Sequence, residues 1–179
     1  SKGIATDGII VHEKARTIVK MRILAERQQV VRVDYEDTPE LVADAVSISR
    51  EKIVQIMKTV SAVIIEDYGK GMINQQVVDA ILSAAQKAKI PVGLDPKDNS
   101  DLKIEGVTIA TPNYKEARYA VGLSEVRLEK DPMSDRNLAQ TAELLMKKWK
   151  PEALIITLGP LGMYLVSGKE KPRHIPTKA

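Results

Sequence analysis

The feature that most constrains this chain is a repeated pairing of a short apolar run with a polar turn. Apolar runs of four to six residues suit strands buried inside a sheet. Most of these runs are separated by helical stretches or by loops long enough for a crossover connection. This alternation predicts an α/β fold in which a mostly parallel sheet is flanked by helices, with right-handed crossovers. The runs occupy residues 62–66, 92–95, 107–110 and 153–158.

The segments between the runs predict helices. Thr38, Pro39 and Glu40 read as an N-cap, a first-turn proline and an acid that favours the helix dipole, so a helix is expected from there to about Val60. Elsewhere apolar residues recur with a period near 3.6. The further predicted helices span residues 74–89, 114–121 and 135–149.

The first 34 residues alternate with a period of two instead. We expect them to form an antiparallel meander with strands at 8–11, 17–25 and 28–34, separate from the main layer and packed against it or covering it. Lys20 and Arg22 then project from one face. With the neighbouring Arg16, Arg27 and Arg32 they could bind a sugar phosphate, although a solvated face is the commoner reason for such alternation.

Composition excludes several kinds of chemistry. The chain has no cysteine, which excludes a disulfide framework and a thiolate metal site, and only two histidines, His12 and His174, which we assign to packing or the surface. The net charge is +3, but seven Lys/Arg and two acids lie between residues 147 and 179, so that segment carries +5 and the rest −2. With no Phe and one Trp for base stacking, we expect no nucleic-acid partner.

No membrane partner is expected either. No apolar run approaches the ~20 residues that cross a bilayer, and no signal-peptide pattern is present. We therefore expect a cytoplasmic protein.

Ligands of parallel α/β sheets lie outside the carboxyl ends of the strands, and this sequence concentrates polar residues there. The turn Asp67-Tyr-Gly-Lys-Gly71 offers a carboxylate, Lys70 and two glycines that would let backbone amides approach an anion. A glycine-rich turn with a solvated lysine is an equal alternative. Asp95 and Lys97 form a similar pair at the next strand, where an ordinary strand-ending turn is the better explanation if the pair is taken alone.

Asn113 and Glu116 share one face at a predicted helix start, which suits phosphate or hydrated Mg²⁺. Their spacing equally fits a capping box, and spacing alone favours the capping box. Thr157, Gly159 and Gly162 lie in a turn that a hairpin requires in any case, so contact with a nucleotide would be additional. Neither a P-loop nor a dinucleotide fingerprint is present, so a nucleotide site would be of another kind.

Taken in order, these motifs resemble those of the PfkB, or ribokinase-like, carbohydrate kinases. Within that family they are most similar to the D-glycero-β-D-manno-heptose-7-phosphate kinases of ADP-heptose synthesis. The segment that leans toward the heptose kinases is Gln28-Gln-Val-Val-Arg-Val-Asp34. The other segments on which the resemblance rests are Thr17-Ile-Val-Lys-Met-Arg22, Asp67-Tyr-Gly-Lys-Gly71, Asp95-Pro-Lys97, Thr111-Pro-Asn-Tyr-Lys-Glu116 and Thr157-Leu-Gly-Pro-Leu-Gly162.

The resemblance implies ATP-dependent phosphoryl transfer to a heptose 7-phosphate at its anomeric hydroxyl. It implies a ribokinase-like fold with a small antiparallel β lid at residues 1–36, a nucleotide-binding core at 37–179, and a homodimer formed through the lid. In this family Asn113 and Glu116 would hold the nucleotide phosphates and the water shell of Mg²⁺. Lys70 and Asp67 would lie near the transferring phosphate, and Lys20 and Arg22 would bind the substrate. The remaining residues implied to bind the nucleotide are Thr157, Gly159, Gly162, Asp95 and Lys97.

The resemblance fails at one motif. The family's general base is the Asp of a Gly-Ala-Gly-Asp segment that this sequence lacks, and the family's early Gly-Gly-rich sugar-binding strand is missing too. We therefore expect an excerpt of a longer active polypeptide that continues at both ends and is inactive alone. The alternatives are a ribokinase-like kinase for a phosphofructose or a nucleoside, or, if the chain ends naturally at residue 179, a non-catalytic nucleotide-binding or oligomerisation module.

Overall fold

The computed structural model describes residues 3–6, 8–11, 13, 16–26, 28–36, 51–97, 102–168 and 170–178. Within these, six strands form one sheet in the order β3-β4-β5-β6-β7-β8, and β1 and β2 form a separate antiparallel pair. Strands β3 to β6 run parallel, whereas β7 and β8 are antiparallel to their neighbours. The strands are β1 Val19–Ala25, β2 Gln28–Tyr35, β3 Val63–Glu66, β4 Val92–Asp95, β5 Ile109–Ala110, β6 Ala153–Thr157, β7 Met163–Ser167 and β8 Arg173–Ile175.

Helices α2, α3 and α4 begin and end where local sequence signals predict. Helix α2 (Gln75–Ala88) is capped by Asn74, whose side chain accepts from the Val77 amide, and α4 (Arg136–Trp149) is capped by Asp135 in the same way. Helix α3 is Tyr114–Ala120. Helix α1 is described at residues 51–56, so the predicted N-cap at Thr38 lies outside the described residues. No helix in the described part of the chain is both long and apolar enough to cross a membrane.

The core lies where the helices pack on the sheet. Leu94 on β4 and Leu154 and Ile156 on β6 are fully buried, as are Leu138 and Leu145 on α4. Burying such side chains supplies the main driving force for this layer, at about 1.5–3 kcal/mol each. The predicted α/β architecture, with a mostly parallel sheet and a small antiparallel sheet, is confirmed.

The two faces of the β1–β2 pair differ in character. The register sets Lys20 opposite Asp34 and Arg22 opposite Arg32 on one face. The other face is apolar and consists of Val19, Met21, Ile23, Val31, Val33 and Tyr35.

Four details differ from the sequence prediction. Residues 8–11 form no strand, so the meander is a two-stranded pair. Strand β3 is an edge strand in the described sheet with Ile64 76% exposed, so among the described residues it is not buried inside the sheet as predicted. Strand β5 is shorter than predicted, and β8 was missed because its polar, proline-flanked sequence carries no apolar run.

Candidate functional site at the carboxyl edge of the sheet

The structure brings four of the predicted site residues to one edge of the parallel sheet. The Asp67 amide donates to the Asp95 carbonyl at 3.0 Å, which ties the end of β3 to the end of β4. Asn113 and Thr157 form a parallel bridge, which ties the start of α3 to the end of β6. The parallel register of β3 to β6 places all four at the same end of the sheet.

The loop after β3 depends on its first glycine. The Asp67 carboxylate, 9% exposed, accepts from the Gly69 amide at 2.7 Å. Gly69 has a φ of +66°, and a Cβ there would lie 3.1 Å from Cγ of Lys97. A side chain at residue 69 would therefore be strained and crowded, and the tight turn holds this loop against the one after β4.

Glu116 joins the β4 loop to the start of α3. Its Oε2 accepts from the Asn113 amide at 2.8 Å, and its own amide donates to Oδ1 of Asn113 at 2.9 Å. The capping-box interpretation is thus confirmed. The second carboxylate oxygen lies 3.2 Å from Nζ of Lys97. Because the Lys97 side chain is 45% exposed, this ion pair contributes at most about 1 kcal/mol and orients more than it stabilises.

A buried arginine anchors α3 from its other side. Arg118 is 5% exposed, donates to the Ser124 carbonyl at 2.6 Å and to Oγ1 of Thr141 on α4 at 3.2 Å. Its guanidinium stacks over the Tyr114 ring at 5.8 Å. Burial, and next the charge of Asp135, raise the pKa of Tyr114, so the phenol stays neutral. The helix that presents Asn113 and Glu116 is therefore firmly seated.

Thr111 belongs to the site as well, although the sequence predicted no role for it. Its hydroxyl donates to Oδ1 of Asp95 at 3.1 Å. Its position could have indicated this contact. Asp95 is the last residue of β4, Thr111 follows the last residue of β5, and these two strands are neighbours in the sheet. The bond fixes the orientation of the Asp95 carboxylate.

The turn after β6 is a tight hairpin, as predicted. Gly159–Leu161 forms a single 3₁₀ turn, and the Leu158 amide donates to the Gly162 carbonyl at 2.8 Å. Gly159 and Gly162 have φ values of +59° and +92°. A Cβ on Gly162 would lie 2.1 Å from the Ile175 carbonyl oxygen, so the turn and β8 meet at a point where only glycine fits.

The two-stranded sheet contacts the loop after β3 through its charged face. Nζ of Lys20 lies 5.6 Å from the centre of the Tyr68 ring. Lys70 pairs with Glu36, just past β2, at 2.5 Å, and not with Asp67. Glu36 and Tyr68 were not predicted, because their roles depend on how two distant segments meet. Arg22 lies beside Lys20 on the same face, opposite Arg32.

A directly coordinated metal does not fit the described residues, where no three His, Cys, Asp or Glu side chains converge. Mg²⁺ usually keeps several waters and binds through one or two carboxylates and the substrate phosphates. Both Glu116 oxygens already accept hydrogen bonds, yet each retains a free lone pair. The carboxylate therefore suits a hydrated ion held through water.

Two clefts among the described residues lie away from this edge. One is bordered by the end of α3 together with Leu144 and Lys148 of α4. The other lies at the opposite, amino-terminal edge of the parallel strands and includes Asp79, Lys89 and Lys103. Neither cleft is lined by Asp67, Asp95, Asn113 or Thr157.

Comparisons with known proteins agree with this architecture. The family profile described as pfkB family carbohydrate kinase matches residues 1–179. The chain is 34% identical over 178 residues to the bifunctional protein HldE of Pelobacter propionicus, covering 99% of this chain and 35% of that protein. The chain thus spans about a third of the length of the curated relatives it matches.

Solved structures share the fold. The crystal structure of Sa239 has a TM-score of 0.68 at 20% identity and covers 98% of this chain and 54% of its own. Phosphofructokinase-2 from Escherichia coli in complex with fructose-6-phosphate has a TM-score of 0.60 at 18% identity and covers 90% of this chain and 50% of its own. At these identities the likeness concerns the fold alone, and it is ribokinase-like.

The contact between Gly162 and β8 predicts a large stability effect. G162A should lower the free energy of unfolding by at least ~2 kcal/mol, because the added methyl meets backbone atoms that can move only with the strand. The matched control is G168A, at a φ of +53° with open space around it, which should cost only about 1 kcal/mol of backbone strain. Urea unfolding measures both. Equal losses would contradict the contact.

Proposed function

Because the chain belongs to the pfkB family of carbohydrate kinases, we propose that its carboxyl edge is part of the site at which a sugar phosphate is phosphorylated by ATP. The most specific form of the proposal is transfer to the anomeric hydroxyl of a heptose 7-phosphate. The observation that carries it is the linked group of Lys97, Glu116 and Asn113 beside the Thr157 turn. We expect the protein to act in the cytoplasm, where ATP is available.

The nucleotide end of the proposed site is formed by the loops that follow β4, β5 and β6. Thr157, Gly159 and Gly162 belong to one turn, in which Gly159 has nothing within 4 Å of its Cβ position and leaves room for close approach of a ligand, whereas Gly162 faces the β8 segment. Asn113 and Glu116 lie next to it, and Lys97 adds a positive charge that is nearly half exposed. Asp95, oriented by Thr111, completes the edge. Bound Mg²⁺ would neutralise charge on the nucleotide phosphates, held through water by Glu116.

The sugar phosphate end uses the charged face of the β1–β2 pair. Arg22 lies directly opposite Arg32, whose Nε is 3.1 Å from Oδ1 of Asp34 on the same face. Arg22 therefore faces a guanidinium that is already ion-paired, and a phosphate group would accept bidentate hydrogen bonds from these guanidinium groups. Lys20, held over Tyr68, adds a third cation on the same face.

Transfer would occur where the two ends meet, near the loop after β3. The sugar hydroxyl oxygen attacks the γ-phosphorus, the bond to the bridging oxygen of ADP breaks, and the hydroxyl proton passes to a carboxylate base. Lys70 would stabilise the charge on the transferring group, and the buried Asp67 holds the loop in place. We assign the base to no residue of the described part of the chain.

Two observations favour the heptose phosphate over other sugars. The Gln-Gln-x-x-Arg-x-Asp segment that resembles the heptose kinases forms β2 and supplies Arg32 and Asp34 to the charged face. That segment also falls within the 99% of the chain that aligns with the bifunctional HldE protein. A phosphofructose is the second candidate, because the same charged face would accept its phosphate.

A substrate panel tests the proposed activity on the protein at its natural length. We expect ATP-dependent turnover of heptose 7-phosphate, with a specificity constant at least tenfold above that for ribose, because the cations of β1 and β2 select a phosphorylated sugar. The heptose assignment further requires a specificity constant above that for fructose 6-phosphate. Coupled ADP release measures it. A preference for fructose 6-phosphate would replace the heptose assignment, and turnover of no sugar would overturn the function.

Glu116 allows the capping and magnesium roles to be separated. E116Q preserves the capping box, since Gln also serves at this position, but removes the negative charge. If Glu116 holds hydrated Mg²⁺, E116Q should lower magnesium-dependent kcat by roughly tenfold or more while changing stability by less than ~1 kcal/mol. E116A, which loses both roles, is the reference for destabilisation. Unchanged turnover in E116Q would leave only the capping role.

The apolar face of the β1–β2 pair supports a homodimer formed through this sheet. A two-stranded sheet is marginal in water, yet Met21 and Ile23 at the centre of this face are 46% and 48% exposed. A second copy of the chain, related by a two-fold axis, would cover the face with an identical one. The charged faces would then point away from the interface toward their own sites.

One substitution in the apolar face tests the dimer. M21E should convert the protein to a monomer, because a buried unpaired carboxylate opposes association. R22Q, on the opposite face of the same strand, should leave the dimer intact. Light scattering after size exclusion gives the masses. A monomeric parent protein, or an M21E variant that stays dimeric, would refute the proposed interface.

A further inference from the structure

The imidazole of His174 is hydrogen-bonded to the turn between β6 and β7. Its Nε2 lies 2.6 Å from the Leu161 carbonyl oxygen. A carbonyl oxygen only accepts, so Nε2 must carry the proton in this contact. His174 is partly buried on β8, opposite the buried Tyr164 of β7.

The same segment makes two more contacts with the turn. The Thr177 hydroxyl donates to the Gly159 carbonyl at 3.4 Å. Gly162 lies against the backbone of residues 175–177, where a Cβ would be 2.1 Å from the Ile175 oxygen and 2.8 Å from the Thr177 nitrogen. Both ends of the 3₁₀ turn are therefore held by β8 and the residues after it.

These contacts fix the orientation of the Leu161–Gly162 peptide. Its carbonyl accepts from His174, and its amide donates to the Gly159 carbonyl at 3.0 Å. Without the imidazole, a rotation of this peptide would turn a partially negative oxygen in a new direction. The carbonyls of Gly159 and Leu161 accept from donors of the β8 segment, which directs both oxygens toward that segment.

We propose that His174 is a positioning residue that sets the Gly159–Gly162 turn in the conformation that binds the nucleotide. It acts through the Leu161 carbonyl and touches neither substrate. The inference rests on the proposed function, because it takes this turn as the nucleotide site.

The test uses three variants of the protein at its natural length. H174L removes the donor and should weaken binding of MgATP about five- to tenfold, the effect expected from one lost hydrogen bond that orders a binding turn. H174Q places an amide N–H near the position of Nε2 and should stay within about twofold of the parent. R173L is the matched control, because Arg173 precedes His174 on β8 and its side chain is 65% exposed.

Two readouts separate positioning from general damage. The dissociation constant of MgATP comes from calorimetry, and KM for ATP, KM for the sugar phosphate and kcat come from turnover. H174L should raise the dissociation constant and KM for ATP while KM for the sugar phosphate stays within about twofold. If H174L does not fold, H174N, whose amide is too short to reach the carbonyl, should give the same nucleotide-specific loss.

The outcomes distinguish the inference from the function on which it rests. A parent protein that binds no MgATP overturns both. A parent that binds MgATP, with H174L and H174N unchanged in nucleotide affinity, overturns the role of His174 alone. Loss of affinity for both substrates, or an equal loss in H174Q and H174L, also overturns it, because the donor would then not be the cause.

Discussion

The buried carboxylate of Glu116 is the interaction on which the arrangement of the site depends. One oxygen satisfies the Asn113 amide at the start of α3, and the other meets Lys97 after β4. A carboxylate only 7% exposed is costly to bury unless both oxygens are paired. The two contacts that offset the cost of burying Glu116 also fix the distance between neighbouring loops. The residues that cap α3 are therefore the same residues that form the site.

The remaining contacts extend this arrangement outward. Lys97 packs against Gly69, which places the loop after β3, and that loop in turn meets the charged face of the β1–β2 pair through Tyr68 and Lys70. On the other side, Asn113 bridges to Thr157 and thus to the turn held by His174. A continuous set of contacts therefore runs from the small sheet to β8.

Much of this fold follows from local sequence signals. The helix caps at Asn74, Asn113 and Asp135 are short-range hydrogen bonds, and the central strands are apolar runs bounded by turn residues. The grouping of Asp67, Asp95, Asn113 and Thr157 at one edge follows once a parallel sheet is assumed. Predictions of this kind depend on neighbours within a few residues, or on a rule that applies to every parallel sheet.

The features that sequence reasoning missed depend on partners far along the chain. Exposure of Ile64 depends on which strand lies at the sheet edge, and β8 exists because polar residues pair with β7. The pairing of Lys70 with Glu36 and the bond from His174 to Leu161 join segments whose separation in sequence carries no periodic signal. Such contacts become visible only when the topology is known.

A crystal structure of the protein with magnesium and a non-hydrolysable ATP analogue tests the central claim most directly. The nucleotide phosphates should lie at the carboxyl edge of the sheet, beside Asn113 and Glu116, with the turn at Gly159–Gly162 against the nucleotide. A nucleotide bound in the cleft at the opposite edge, among Asp79, Lys89 and Lys103, would contradict the account.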